Sequence, residues 1–592
     1  MSVPEDDRQA EATDQPIACL TEVPPALATP PEATQPNEEN KPPQCPPASA
    51  FAPEPPSDGL ISIQISCSNS ERGVDELAGQ LSLDEDMPWE NRVREAADRD
   101  GETLVTAGPM PAEDLAVTFE RLAQVAATVD CDCSTVHTQY LPAKKGSGTP
   151  DQATSHVLVR KQPSQGHHLD LRVAVVGNVD AGKSTLVGVL TGPVSFLDDG
   201  RGLARSRVLR HKHEAETGRT SSIAEDQHMR LGTKGDCLAT EKHAKKATAE
   251  QSEAAKVVSF IDLAGHERYL RTTVYGLTAH EPDYVMVVVG ANHGITRMTK
   301  EHVGMAIALN VPLFVVVTKV DLCPEPVMKE TMKQLSRLLK LPGARKQPYI
   351  VRGDDDLMIA VKGFGKSAIA PVFTISSVDG TNVPLLRRFF NLMPSRRSWA
   401  AQDKFPTEFL IDQFFNVPGS GLVLAGTLLS GLVALNQLLL MGPNAHGKFN
   451  PVTIKSIHHM RTPVNALLPG QSGAFVVRSR SKAHVREFGI RKGMVLLDPS
   501  TNPNATRSFL CDVVVLHSQT TMRVNYQPIL YARNVRQCVR IATMDKEVLR
   551  TGVRAKVTFE FMFRPEFLVV GSKVLFTEGK TKAIGTIREL LT

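Results

Sequence analysis

The chain has 592 residues, 41% of them hydrophobic, which is enough for three or four domains of ordinary size and excludes a single small module. Its nine cysteines are scattered. The one close pair, Cys131 and Cys133, has no second pair to complete a zinc site, so we expect neither a disulfide framework nor structural zinc. The start, MSVPEDDRQA, is acidic and lacks the apolar core of a secretory signal, which predicts a cytoplasmic protein.

Charge divides the chain into two unequal parts. The first 110 residues hold 22 acidic and 6 basic side chains, a net charge of −16, and since the whole chain carries +3 the remainder carries +19. Residues 1–60 also contain 14 of the 40 prolines and show little periodic apolar character. We therefore expect residues 1–80 to form a disordered, acidic, proline-rich tail. The basic remainder favours a polyanionic partner such as RNA.

A small α+β unit is predicted over residues 81–165. The segment PAEDLAVTFERLAQVAATV (111–129) has apolar residues at helical spacing, and TVHTQYL and SHVLVRK alternate as strands do. This unit would precede the main domain.

Between residues 166 and 398, short apolar runs alternate with helical stretches. This alternation predicts an α/β domain with a doubly wound, mostly parallel sheet. The predicted strands are LRVAVV, VVSFIDLAG, DYVMVVVGA, PLFVVVTKVD and PVFTISSVDG. One polar and basic insertion, residues 231–256, is predicted to be a loop.

The last part of the chain has many short β-like runs separated by glycine or proline. They predict two β-barrel domains, over residues 403–502 and 503–592. Residues 421–442 carry no charge and have the length of a membrane span. Glycines at five-residue intervals and several polar side chains inside this segment favour buried barrel strands instead.

The stretch GNVDAGKST directly follows the run LRVAVV and opens a helical segment. It matches the phosphate-binding pattern GxxxxGK[ST] in full. Its glycines allow backbone N–H groups to close around phosphates at the start of a helix, where Lys183 would reach the β and γ oxygens and Ser184 would bind Mg²⁺. The predicted phosphate-binding residues are Gly177, Asn178, Val179, Asp180, Ala181, Gly182, Lys183, Ser184 and Thr185.

A second motif, DLAGHERYL (262–270), stands at the end of another apolar run. An aspartate at a strand end can hold the Mg²⁺ shell, which predicts this role for Asp262, and Gly265 can turn its N–H toward the γ-phosphate. His266 would lie beside the position of an attacking water. We therefore interpret His266 as the catalytic residue of a hydrolase.

The base of the nucleotide is predicted from TKVD (318–321). A carboxylate at Asp321 can accept paired hydrogen bonds from guanine N1–H and N2–H, and adenine offers no such pair, so the motif selects GTP and GDP. Thr318 and Lys319 belong to the same motif, and Lys319 would pack over the ring. Backbone N–H groups of Ser376, Ser377 and Val378, after the strand VFTI, would meet the guanine oxygen.

One further threonine is needed to complete the Mg²⁺ sphere and sense the γ-phosphate. The stretch ETGRTSS (216–222) lies between the two phosphate motifs, where such a switch loop belongs. It offers Thr220 as the metal ligand, with Thr217 as a competitor.

Together, these motifs resemble those of the translational GTPases related to elongation factor Tu and elongation factor 1-alpha. DLAGHE resembles the family's DxPGH, GNVDAGKST its GHVDHGKT, and TGRT its RGIT. Residues 291–324 and the C-terminal VLFTEGKTKAIGTI resemble the GTP-binding protein 1 and 2 subgroup in particular. The resemblance covers residues 110–592 and implies a GTP-binding domain followed by two β-barrels.

The resemblance also implies roles for individual residues. It assigns phosphate and Mg²⁺ binding to the GKST end of the first motif with Asp180, the switch role to Thr220, and positioning of the water to His266. Three positions depart from the family pattern: Ala264 replaces a proline, Thr318 replaces the asparagine of NKxD, and Arg219 stands where elongation factor Tu has an apolar gate residue.

The family implies the ribosome and tRNA as partners of a monomeric GTPase, with neither membrane nor DNA. Two basic stretches could contact RNA, residues 478–493 and 531–540, although each could equally be a solvated strand face. Two alternatives stay open. The chain could be a GTP-regulated, RNA-associated adaptor in RNA surveillance or decay, whose hydrolysis is secondary and whose partners are RNA-decay proteins, or a GTPase that activates a metabolic enzyme.

Overall fold

The computed structural model describes most of the chain. The described residues are 62–65, 88–142, 151–163, 168–209, 211–218, 220–238, 254–364, 368–396, 399–479, 489–579 and 581–591. Outside them lie nearly all of the predicted tail, the centres of the predicted loop 231–256 and of the basic stretch 478–493, and Arg219. Disorder over residues 1–80 was expected, but Ser62–Ile65 forms a strand, because its alternating sequence buries Ile63 against a helix-covered sheet.

Among the residues that the structure describes, four strands and two helices form the unit that precedes the main domain. They are β1 (Ser62–Ile65), α1 (Trp89–Asp100), β2 (Glu102–Pro111), α2 (Ala112–Ala127), β3 (Cys131–Leu141) and β4 (Gln152–Lys161). The sheet order is β1-β2-β4-β3, and β1 is parallel to β2. The predicted helix is α2, and the two predicted strands are β3 and β4.

A buried ion network fastens this unit to the main domain. Arg160 Nη2 donates to Glu102 Oε2 at 2.8 Å, and Lys256 Nζ donates to Glu102 Oε1 at 2.6 Å. Arg160 also donates to the backbone carbonyl of Asn391 at 2.8 Å. All three charged side chains are buried, so the carboxylate of the first unit neutralises two cations at the junction.

In the described residues, the main domain has eight strands and eight helices. They are β5 (Leu169–Gly177), α3 (Lys183–Leu190), α4 (Leu203–Ser206), α5 (Lys212–Thr217), β6 (Ala224–Leu231), β7 (Cys237–Leu238), β8 (Lys256–Asp262), α6 (Leu270–Ala279), β9 (Tyr284–Gly290), α7 (Arg297–Ala308), β10 (Leu313–Thr318), α8 (Glu325–Leu339), β11 (Gln347–Ile350), α9 (Asp354–Gly363), β12 (Ile369–Thr374) and α10 (Val383–Leu392).

These elements form the predicted doubly wound α/β fold. The strand order is β11-β12-β10-β9-β5-β8-β6-β7, parallel from β11 to β8, with β6 antiparallel to β8 and β7 antiparallel to β6. One face of the sheet packs against α3, α9 and α10, and the other against α6, α7 and α8. Because parallel strands end at one edge, the loops after β5, β8, β10 and β12 meet there, and each of these loops carries a predicted motif.

The first C-terminal domain is built from β13 (Glu408–Val417), β14 (Gly421–Ser430), β15 (Val433–Ala434), β16 (Leu438–Gly442), β17 (Asn450–His459), β18 (Thr462–Val464), β19 (Ala466–Leu467), β20 (Ser472–Ser479) and β21 (Val495–Leu497). The main sheet runs β16-β21-β13-β14-β20-β17-β18, and it closes on itself because β16 also pairs with β17. Residues 421–442 therefore form two strands of this barrel, β14 and β16, as the glycine spacing predicted, and between them β15 pairs with β19 in a separate two-stranded sheet.

The second C-terminal domain is a closed barrel of six strands. They are β22 (Ser508–His517), β23 (Ile529–Ala532), β24 (Val535–Met544), β25 (Arg554–Phe561), β26 (Lys573–Glu578) and β27 (Thr581–Leu591). Their order is β22-β25-β24-β23-β26-β27, and β27 pairs with β22.

Arg533, in the turn between β23 and β24, connects both barrels to the main domain. Its Nη1 lies 2.6 Å from Glu408 Oε1 in the first barrel, and its Nε lies 3.4 Å from Glu281 Oε1 in the main domain. Tyr531 and Leu575 of the second barrel are buried in the same core as helix α6. In the described ranges, no helix is both long enough and apolar enough to cross a membrane.

Candidate functional site

The GNVDAGKST segment forms a tight loop between β5 and α3. A Cβ at Gly177 would lie 2.2 Å from the Val288 carbonyl oxygen, so only glycine allows β5 to end this close to β9. Gly182, at the start of α3, has φ +81°, and Asp180 has φ +58°. This left-handed backbone, which favours glycine, curls the loop around the start of the helix, the arrangement that presents N–H groups to an anion.

Lys183 lies across this loop. Its Nζ donates to the Asn178 carbonyl at 2.9 Å, and burial lowers its pKa against the attraction of Asp262 and Asp180. A Cβ at Gly265 would lie 2.5 Å from Lys183 Nζ, so the backbone of the second motif touches the first. The ammonium and the Gly265 backbone therefore lie together at the loop. Val179 and Thr185 flank it, Val179 in the loop itself and Thr185 in the first turn of α3.

Three oxygen-bearing side chains converge beside Lys183. Ser184 Oγ donates to Asp262 Oδ2 at 2.6 Å and lies 2.9 Å from Thr220 Oγ1, which lies 3.4 Å from the same Oδ2. Asp262 is fully buried, and its Oδ1 has no hydrogen-bond partner in the described part of the chain. Burial raises the pKa of Asp262, against the attraction of Lys183. Two hydroxyls and an incompletely satisfied carboxylate are a donor set that fits Mg²⁺.

Of the two candidate threonines, only Thr220 reaches this cluster. Thr217 is exposed, and its Oγ1 donates to the His213 carbonyl of its own helix at 2.7 Å. Thr220 is three residues further on and has left the helix, so its hydroxyl can approach Ser184.

Glu214 holds the segment that follows Thr220 and was not predicted from the sequence. It lies on α5, is 1% exposed, and its Oε1 accepts hydrogen bonds from the backbone N–H groups of Ser221 and Ser222 at 2.8 and 3.0 Å. Burial opposes its charge, yet the hydrogen bonds from Ser221 and Ser222 lower the pKa of Glu214 to about 2. The available signal was a glutamate three residues after the helix start, a capping-box position that begins at His211.

His266 follows Gly265 and begins the 3₁₀ turn Glu267–Tyr269. Its Nδ1 accepts the Arg268 N–H at 3.0 Å, so in the neutral ring Nε2 carries the proton. The ring packs edge-on against Tyr269, with 6.1 Å between ring centroids. Among the described residues, none forms a hydrogen bond that links this ring to the phosphate loop. Ala264, which replaces the family's proline, is buried, and its carbonyl accepts the Thr273 hydroxyl at 2.7 Å.

The TKVD segment is tied to the phosphate loop through Thr318. Its buried Oγ1 donates to the Ala181 carbonyl at 2.7 Å, which gives this departure from asparagine a structural role. Lys319 has φ +61°, which turns the chain into the 3₁₀ turn Val320–Leu322 and leaves Asp321 exposed at the end of β10. An exposed carboxylate at this edge is available to a base.

The loop after β12 lies beside the TKVD segment. Val320 N–H donates to the Ile375 carbonyl at 3.4 Å. Ser376 is buried, and its Oγ accepts the Val378 N–H at 3.2 Å, while the Ser377 carbonyl accepts the Asp198 N–H at 2.9 Å. The four predicted segments that follow β5, β8, β10 and β12 therefore meet at one edge of the sheet.

The basic stretch 531–540 is largely engaged within the protein. Arg533 pairs with Glu408 and Glu281, and Arg540 Nη2 lies 2.6 Å from Glu560 Oε2. Arg536 is exposed, with its guanidinium 5.9 Å from the Tyr531 ring centre. This stretch therefore offers RNA one exposed arginine.

Comparison with known proteins identifies the class. The model of the elongation factor Tu GTP binding domain matches residues 170–395. The GTPase-like domain of Saccharomyces cerevisiae Ski7, solved bound to GTP, shares the fold: it superposes with a TM-score of 0.53 at 15% identity, over 71% of this chain and 98% of that one. The fold is that of an elongation-factor-type GTP-binding domain followed by two β-barrels.

Closer relatives place the chain within that class. GTP-binding protein 2 of Mus musculus is 39% identical over 81% of this chain and 78% of its own length. GTP-binding protein 1 of Xenopus laevis is 46% identical over 73% of this chain, and the match spans 65% of that relative. The chain therefore belongs to the translational GTPase superfamily, in the group of GTP-binding proteins 1 and 2.

Proposed function

We propose that this protein is a Mg²⁺-dependent GTP/GDP switch that hydrolyses GTP to GDP and phosphate and acts with the ribosome and tRNA in the cytoplasm. One observation carries the proposal: the hydroxyls of Ser184 and Thr220 converge on the buried carboxylate of Asp262, whose Oδ1 is left without a partner. The switch threonine and the phosphate loop come from different segments, so their meeting can depend on the γ-phosphate.

The phosphate chain would be held by the N–H groups of residues 177–185 and by Lys183. Ser184 and Thr220 would bind Mg²⁺ directly and Asp262 would hold its outer shell; the ion would neutralise charge on the β and γ oxygens. His266, with its proton on Nε2, would donate a hydrogen bond to the attacking water and orient it. Gly265 N–H would face the γ-phosphate.

Guanine would be selected at the same edge of the sheet. Asp321 would accept N1–H and N2–H, Lys319 would cover the ring, and the N–H groups of residues 376–378 would meet the guanine oxygen. The Thr318 bond to Ala181 supports this arrangement, because it holds the base loop and the phosphate loop at one distance.

The +19 charge of the chain after residue 110 supports an RNA partner. The test is a single-turnover GTPase assay with and without purified ribosomes. We expect slow hydrolysis by the free protein, faster hydrolysis with ribosomes, and a loss of about 10²–10⁴-fold in the stimulated rate in His266→Ala. His446→Ala, in an exposed turn of the first barrel, is the matched control and should hydrolyse like the wild type.

Equal stimulated rates in His266→Ala and wild type would remove His266 from the mechanism. Hydrolysis that ribosomes do not accelerate would contradict the ribosomal part of the proposal and favour the adaptor alternative, in which RNA-decay proteins are the partners.

A further inference from the structure

Glu214 is buried on a helix whose other described side chains face solvent. His211 at its start and Lys212, His213, Glu216 and Thr217 within it are all exposed, whereas Glu214 is 1% exposed. A carboxylate is removed from water only at a large free-energy cost unless its oxygens are fully hydrogen-bonded. The contacts of Glu214 therefore indicate what this burial serves.

The two carboxylate oxygens have different partners. Oε2 accepts the His211 N–H at 3.3 Å, which caps the start of α5. Oε1 accepts four hydrogen bonds from the next segment: the N–H groups of Ser221 and Ser222 at 2.8 and 3.0 Å, and their hydroxyls at 2.8 and 3.0 Å. Capping the helix requires only Oε2, so the bonds of Oε1 serve the chain beyond the helix.

That segment contains the switch threonine. Ser221 and Ser222 directly follow Thr220, whose Oγ1 lies 2.9 Å from Ser184 Oγ and 3.4 Å from Asp262 Oδ2. Because one carboxylate holds both residues that follow Thr220, the backbone at Thr220 is restrained. Its hydroxyl can therefore take few orientations. The bonds to ionised oxygen are also stronger than neutral ones.

We propose that Glu214 is a positioning residue that holds Thr220 toward the Ser184–Asp262 metal site and so determines how strongly the protein prefers GTP over GDP. This inference rests on the proposed function. The low pKa of Glu214 keeps the carboxylate ionised, and therefore able to accept all five bonds, throughout the physiological range.

The test measures Mg²⁺-dependent affinities for a slowly hydrolysed GTP analogue and for GDP. In Glu214→Gln an NH₂ group replaces one carboxylate oxygen, and this NH₂ group faces hydrogen-bond donors. We expect analogue affinity to fall about 10–100-fold, the usual loss when a residue supporting a metal ligand is changed, with GDP affinity unchanged. Glu214→Asp keeps the charge but is one methylene shorter, and should show the same selective loss. Glu216→Gln, exposed on the same helix, is the matched control and should bind like the wild type.

A double mutant separates positioning from a general structural role. If Glu214 acts through Thr220, then Glu214→Gln should change nothing further in a Thr220→Ala background. Additive losses, equal losses for the analogue and GDP, or unchanged affinities in both Glu214 variants would overturn the inference. If Thr220→Ala itself binds the analogue normally, the proposed switch fails; if only the Glu214 variants bind normally, the switch stands and this inference alone fails.

Discussion

His302 is a buried histidine on the helix that follows β9. It is fully buried on α7, and neither ring nitrogen has a hydrogen-bond partner among the described residues. Burial, with a smaller contribution from Lys183, lowers its pKa from 6.5 to about 3. The native state therefore keeps this ring neutral at pH values at which the unfolded chain protonates it.

This difference predicts a pH-dependent stability. Between pH 6.5 and about 3 the unfolded state binds one more proton at His302 than the native state, so the free energy of unfolding falls as the pH falls, by about 1.4 kcal/mol per pH unit. His302→Phe should remove this contribution, which chemical denaturation at pH 7, 5.5 and 4.5 would measure. His446→Phe, at an exposed position, should keep the wild-type slope, and equal slopes in all three proteins would contradict the assignment.

Helices α3 and α4 approach each other so closely at Gly188 that no side chain fits between them. A Cβ at Gly188 of α3 would lie 2.1 Å from the Ala204 carbonyl oxygen of α4, a backbone atom that cannot rotate away. Gly188→Ala should therefore destabilise the protein by about 1–3 kcal/mol, the usual cost of overpacking. The midpoint of urea unfolding would measure this change.

A second helical glycine provides the control. Gly304 of α7 is exposed, and a Cβ there would meet nothing within 4 Å. Gly304→Ala should stabilise the protein by about 0.5–1 kcal/mol, because alanine loses less backbone entropy in a helix. Stabilisation in both variants would show that helix propensity, and not the contact with α4, governs position 188.

For the whole molecule, Arg533 of the second barrel forms ion pairs with both the first barrel and the main domain. About a fifth of the Arg533 side chain and of each glutamate side chain is exposed. Breaking these ion pairs therefore costs less free energy of unfolding than breaking fully buried pairs. Arg533→Met should lower the free energy of unfolding by about 1–3 kcal/mol and leave Glu281 and Glu408 to repel each other.

The same variant should loosen the arrangement of the domains. We expect small-angle scattering to give a larger radius of gyration for Arg533→Met than for the wild type. Arg536→Met removes an equal charge from an exposed position on β24 and should change neither measurement. An unchanged radius together with unchanged stability would show that the apolar contacts of Tyr531 and Leu575 with the main domain are sufficient.

The class of the main domain and the contiguous motifs that follow its strands were predictable from the sequence alone. Its strands are continuous apolar runs because both sheet faces are covered by helices, and its phosphate, switch and base motifs are contiguous stretches at strand ends. Such features are visible because each depends on residues close together in the chain. The strand at Ser62–Ile65 was missed because four residues carry too little periodicity to stand out from a proline-rich tail.

Which side chains meet depends on how distant elements pack together. Thr220 rather than Thr217 reaches the Ser184–Asp262 cluster, across separations of 36 and 42 residues, and this depends on where α5 ends. Glu214 is buried and Glu216 exposed on the same short helix, although the two residue types are identical. Arg533, a candidate for RNA contact by charge alone, is engaged in ion pairs between domains. Burial and pairing arise from packing between distant elements, and this packing cannot be predicted from the local sequence.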